Sequence, residues 1–178
     1  MRRERRRAEE ELSQSEERYR LLVEQLPVVI YRVALDELAA THFISPQIDK
    51  LTGYSPTEWI TDTAFWRNML HPEDRERVLA ENRRHMAGQP FLSEYRLIGR
   101  DGRIIWVRDE AIIIRDGAGF PLYAQGVMSD ITGRKQAEME RQVLLEIMQG
   151  LVTTTDLQDF LRLVHHSIAT VIYAENFF

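Results

Sequence analysis

The sequence predicts an α+β domain: a five-stranded, mostly antiparallel sheet with helices on one face. Three observations carry this. Two short β-branched and apolar runs lie near the start, at residues 28–34 and 41–45. A stretch broken by Gly53, Pro56 and Pro72 follows, with helical spacing. Three longer alternating runs then occur at hairpin distance, separated by Asp-Gly and Gly-rich turns.

Taken in order, residues 8–26 predict a helix with a thin apolar seam. Leu12, Tyr19 and Leu26 are spaced as in a coiled coil, with Leu22 between the last two, and Pro27 stops the helix. Residues 28–34 and 41–45 read as a paired ribbon. Pro72 is a good first helical residue, Glu73 and Asp74 complement the N-terminal dipole, and Val78, Leu79, Asn82 and Met86 form one face up to Gly88. Strands over 91–98, 103–115 and 122–131 turn at Arg100-Asp101-Gly102 and at Asp116-Gly117-Ala118-Gly119. Beyond the last strand, residues 134–150 read as a linker helix, with Ala137, Leu144 and Leu151 at heptad spacing and Ile147 between the latter two.

Composition narrows the function. Of 178 residues, 44% are hydrophobic and 29% charged, enough for one core with extensions, and the net charge of -5 favours neither nucleic acid nor an anionic membrane. The Arg-rich start is interleaved with Glu9, Glu10 and Glu11 and reads as a solvated helix beginning. Cysteine is absent, which excludes disulfides, thiolate metal sites and a thiol adduct to flavin. No apolar run approaches the roughly 20 residues of a membrane span, so the expected setting is cytoplasmic. Catalytic constellations are not recognisable, and a non-enzyme is expected. The side chains of His165 and His166 diverge by about 100° on a helix and do not chelate one ion alone.

Six motifs in register carry a resemblance: Ser45-Pro46; Leu51-Thr52-Gly53-Tyr54-Ser55-Pro56; His71-Pro72-Glu73-Asp74; Glu94-Tyr95-Arg96; Asp101-Gly102 with Trp106; and Asp130-Ile131-Thr132. Together they resemble a PAS domain with its C-terminal PAC half. The resemblance implies a PAS fold over residues 27–132, an N-terminal linker helix over 1–26 and a signalling helix over 133–150. Residues 151–178 are similar to the opening of a GAF domain. The implied function is sensory: a small ligand or a partner changes the packing of helices on the sheet, and the C-terminal helix relays that state to an output such as a histidine kinase or a cyclic-dinucleotide enzyme. A ligand-free dimerisation and spacer module is the alternative, and a haem sensor using His85, beside Arg83 and Arg84, is the lesser one. Homodimerisation through the flanking helices is expected.

Alternation in 103–115 leaves two partly apolar faces, so it does not choose the inner one. The resemblance turns Val107 and Asp109 inward with Tyr95, Leu97, Gly126 and Met128, and turns Trp106 outward. Phe43, Trp66 and Met69 complete the expected pocket. An inward Asp109 requires a partner: an arginine, solvent at the sheet edge, or a polar ligand. At the exit, Asp130, Ile131 and Thr132 form the expected relay, with Asp130 paired to Arg103 or, second, to Arg108.

Overall fold

The computed structural model describes residues 25–36, 39–153 and His165. Five strands form one antiparallel sheet: β1 (Val29–Val33), β2 (Thr41–Ile44), β3 (Phe91–Ile98), β4 (Ile104–Arg115) and β5 (Pro121–Asp130), in the order β2-β1-β5-β4-β3. The fold is α+β, as its sequence pattern predicts. Between β2 and β3 run α1 (Gln47–Thr52), α2 (Pro56–Thr61), α3 (Phe65–Met69) and α4 (Pro72–Met86), and α5 (Thr132–Thr153) leaves directly from β5.

Local chemistry sets these boundaries. Gly53, at φ 77°, ends α1 in the left-handed region and donates its N–H to Asp49 O. Ser55 and Glu58 form a reciprocal capping box on α2, with Pro56 at the first turn. His71 caps α4 by accepting the Glu73 N–H on Nδ1. Asp74 in the first turn of α4 then ties the helix to β3, accepting from Arg96 Nε at 2.9 Å, Arg96 Nη2 at 3.0 Å and the Arg96 backbone N–H at 2.9 Å. Burial works against ionisation of Asp74, but these hydrogen bonds hold its carboxyl below the usual range.

The core lies between the sheet and α1–α4, built from Val29, Ile44, Ile48, Trp59, Leu70, Val78, Tyr95, Leu97 and Val107 among others. Side chains alternate along β3 and β4, so Phe91, Ser93, Tyr95 and Leu97 pack inward while Leu92 is exposed. The opposite sheet face exposes Leu92, Ile112 and Val127. The expected helix over 8–26 and the resemblance over 151–178 fall almost wholly outside the described residues. The linker helix expected over 134–150 runs from Thr132 to Thr153.

Candidate functional site

A cavity of about 40 Å³ lies between β1, β4, β5 and helices α2 to α4. Asp109 from β4 projects into its wall with 2% of its surface exposed. Its Oδ1 accepts from the Tyr31 hydroxyl at 2.7 Å and its Oδ2 from the Tyr95 hydroxyl at 2.6 Å. Tyr95 in turn accepts from Trp66 Nε1 at 3.0 Å. Burial pushes the Asp109 carboxyl up to about 6, the two tyrosine hydrogen bonds pull it back, and the neighbouring Glu110 charge adds to the rise. Burial and the Asp109 charge raise both phenols well above their ordinary value.

Tyr31 reaches Asp109 because β5 has no side chain in the way. Gly126 pairs with Tyr31 on one side and Ala111 on the other, and a Cβ there would lie 2.2 Å from Tyr31 Cζ. On the helix side, His85 is 2% exposed and its Nδ1 lies 2.7 Å from Gln89 O. A carbonyl only accepts, so Nδ1 carries the hydrogen. Among the described residues His85 Nε2 and Trp59 Nε1 are buried without a hydrogen-bond partner, and both residues line the cavity.

The second feature is the exit from β5 into α5. Trp106 on β4 grips it by backbone: its carbonyl accepts the Ile131 N–H at 2.9 Å and its N–H donates to Thr132 Oγ1 at 3.0 Å. Asp130 Oδ1 accepts the Thr132 N–H at 2.8 Å, closing a short turn at the helix start. Glu94 on β3 holds the first turn of α5 through Arg134 at 2.6 Å and Lys135 at 2.8 Å. Lys135, then Arg134, hold the Glu94 carboxyl below its usual range. Arg96 Cζ and Lys135 Nζ both lie over the Trp106 ring, at 5.3 and 5.2 Å from its centroid.

The order of strands and helices meets a family description directly: residues 41–128 match the model of the PAS fold. This region is a PAS domain. Among curated proteins it is similar to a methyl sulfide methyltransferase-associated sensor of Methanosarcina acetivorans, 32% identical over 61% of this chain and 11% of that protein. It is also similar to the two-component sensor PprA of Pseudomonas aeruginosa, 32% identical over 85% of this chain and 17% of that protein. The chain thus spans less than a fifth of the length of these relatives. Among solved structures it resembles a sensory box histidine kinase/response regulator from Burkholderia thailandensis, 28% identical with a TM-score of 0.58, covering 74% of this chain and 98% of that one. The N-terminal domain of a diguanylate cyclase with PAS/PAC sensor from Marinobacter aquaeolei is 28% identical with a TM-score of 0.55, covering 61% and 98%. The relatives are sensors, and the PAS domain here belongs with sensory signalling modules.

The PAS cavity gathers some of the residues expected from sequence and not others. Trp66, Asp109 and Met128 line it. Met69, Tyr95, Leu97 and Val107 are buried in the surrounding core but do not line the cavity. Phe43 does not enter it: it pairs with Arg32, whose side chain faces solvent, and is itself 45% exposed, while Ile44 takes the inward place opposite Tyr31. Asp109 meets neither an arginine nor solvent but two tyrosines. Tyr31, Trp59, Asn82 and Phe91 are cavity residues that sequence reasoning did not place there, and His85, considered there only as a haem ligand, joins them. The alternation Val29, Tyr31, Val33 was the available signal for the first, and the helical step Val78, Asn82, His85 for the histidine.

At the exit, Arg103, Asp130 and Thr132 border a common open groove of about 540 Å³ with Lys50. The expected Asp130–Arg103 pair does not form, nor does one with Arg108. Asp130 is engaged by the Thr132 N–H, Arg103 by Asp101 at 2.7 Å and Arg108 by Glu110 at 2.6 Å. Nearby backbone and carboxylates outcompete the longer reach. The cavity is too small for a haem macrocycle beside His85. Among the described residues no group of three or more His, Asp or Glu is placed to hold a metal, and no helix is long and apolar enough to cross a membrane.

Proposed function

We propose that this PAS domain is a non-catalytic sensor that takes a small ligand in its cavity and passes its state to α5. One observation carries the reading. Tyr95 faces the core and holds Asp109, and its chain neighbour Glu94 faces outward and holds Arg134 and Lys135. A pleated strand places adjacent residues on opposite faces. A change at Asp109 that moves Tyr95 therefore moves the grip on α5 one residue away. A few kcal/mol of difference between two arrangements is enough to bias such a relay. In a longer protein, α5 would feed an output of the kind named for the relatives, a histidine kinase or a diguanylate cyclase, and a second copy would pair through the flanking helices.

The small size of the cavity favours a second reading, a ligand-free dimerisation and spacer module. Native mass spectrometry of the purified chain separates the two. The sensor reading expects a co-purifying or added small molecule that is lost when Ala111→Leu fills the cavity, together with altered amide exchange over residues 132–140. A chain that carries no ligand and whose α5 exchange is indifferent to Ala111→Leu would leave the spacer reading in place.

A further inference from the structure

We propose that the cavity is built for a neutral molecule of about four heavy atoms that carries one hydrogen-bond acceptor and one donor, the chemistry of a primary amide or urea. This rests on the reading of the cavity as a ligand site and names the ligand class.

Three polar groups set the demand. Trp59 Nε1 is only ever a donor, is buried on a side chain 3% exposed, and has no partner among the described residues. His85 donates through Nδ1 to Gln89 O, so in the neutral ring its unpartnered Nε2 offers a lone pair. Asp109 already has a hydroxyl on each oxygen. Among the fully buried polar atoms of the lining, the unmet needs are therefore one acceptor, for Trp59, and one donor, for His85. Buried polar groups in folded proteins are almost always paired, so two orphans on residues that line one cavity point to an occupant.

Charge selects against the alternatives. Neither lysine nor arginine lines the cavity, so an anion would meet the Asp109 carboxylate with nothing to offset it. An ammonium brings donors only and leaves the Trp59 N–H buried and unmet. An amide supplies a carbonyl to Trp59 and an N–H to His85 on adjacent bonds. The volume agrees: about 40 Å³ accommodates the equivalent of about three waters.

The test is a titration of the full chain with formamide, acetamide, propionamide and urea, with methylammonium and acetate in parallel, followed by the indole N–H resonance of Trp59 and the ring nitrogens of His85. For ligands this small the dissociation constant is no tighter than about 0.05 mM. The expected result is a saturable downfield shift of the Trp59 N–H with at least one amide, and none with methylammonium or acetate. Trp59→Phe and His85→Leu should each weaken that binding about tenfold, and the selectivity of the unaltered chain decides the matter should either variant fold poorly. Saturable binding of methylammonium or acetate instead would overturn the amide assignment and leave the cavity a ligand site. No saturable shift with any of the six would overturn the assignment, and the mass measurement above would then decide whether the cavity takes a ligand at all.

Discussion

Asp109 is held by two phenols on two different strands, and that arrangement has a pH signature. In the unfolded chain its carboxyl gives up the proton near the ordinary value of 3.8, but in the folded chain only near 6. Between these values the folded form keeps a proton that the unfolded form has lost. The contribution of Asp109 to stability is therefore greatest at acid pH and falls as pH rises through the window, by up to about 3 kcal/mol, then stays constant above it. Asp109→Asn has no such titration. The expected outcome, from urea unfolding at pH 4 to 7, is a difference between the two proteins that changes through this window and flattens above pH 6. Parallel curves across the window would show that Asp109 titrates normally. Asp74 and Glu94, whose carboxyls are held low, act in the opposite direction, so the comparison with Asp109→Asn is needed to isolate the effect.

Residues also show where sequence reading stopped. The two partly apolar faces of β4 could be assigned only through the family, yet that phase places Val107, Asp109 and Ala111 inward. Phe43 was misplaced because β2 has just four residues, with apolar side chains at both 43 and 44, and alternation over so short a run does not choose between them. His85 was obscured by its arginine neighbours, although its helical position relative to Val78 points it to the core. The orphan nitrogen of Trp59 has no trace in the sequence at all, since it depends on what the folded chain fails to put beside it.

At the scale of elements, α5 is held to the sheet by backbone hydrogen bonds from Trp106 and by the Glu94 ion pairs. The latter are largely exposed, with side-chain exposures of 33% for Glu94 and 46% for Arg134, so their strength is screened by salt. Glu94→Ala should leave overall stability within about 1 kcal/mol while speeding amide exchange in residues 132–138. Raising the salt of the unaltered chain to about 1 M should move exchange in the same direction. Unchanged exchange in both experiments would mean that Trp106 alone seats the helix and that Glu94 has no part in the relay. The turn at Asp130 and Thr132 was legible as a motif, and its internal hydrogen bond, not an arginine, is what makes those two residues act together.

For the whole molecule, the question is what covers its apolar surface. On α5, Leu144, Leu145 and Met148 are 61%, 51% and 62% exposed, and Leu92, Ile112 and Val127 are exposed on the sheet. Pairing of two copies through α5 would bury the helix stripe. Light scattering of the chain should give the mass of a dimer, and Leu144→Glu with Met148→Glu should return a folded monomer. A monomer of the unaltered chain at high concentration would remove the dimeric relay. The five-stranded sheet and its intervening helices were readable from periodicity, turns and motifs because each is specified locally. What covers the exposed stripe on α5 is not, since a covering surface need not lie nearby in the sequence.

The strand order also sets a timetable for folding. β5, the last strand in the chain, sits at the centre of the sheet, with β1 on one side and β4 on the other. Until it is in place, the ribbon of β1 and β2 has no neighbour, and a lone two-stranded ribbon is marginal in water. The Tyr31–Asp109 bond spans 78 residues of sequence and closes only when that central strand lies between them. Such distant pairings slow folding. The N-terminal part of the domain therefore waits, during synthesis, for the strand that leads directly into α5, so that helix starts where the core is completed.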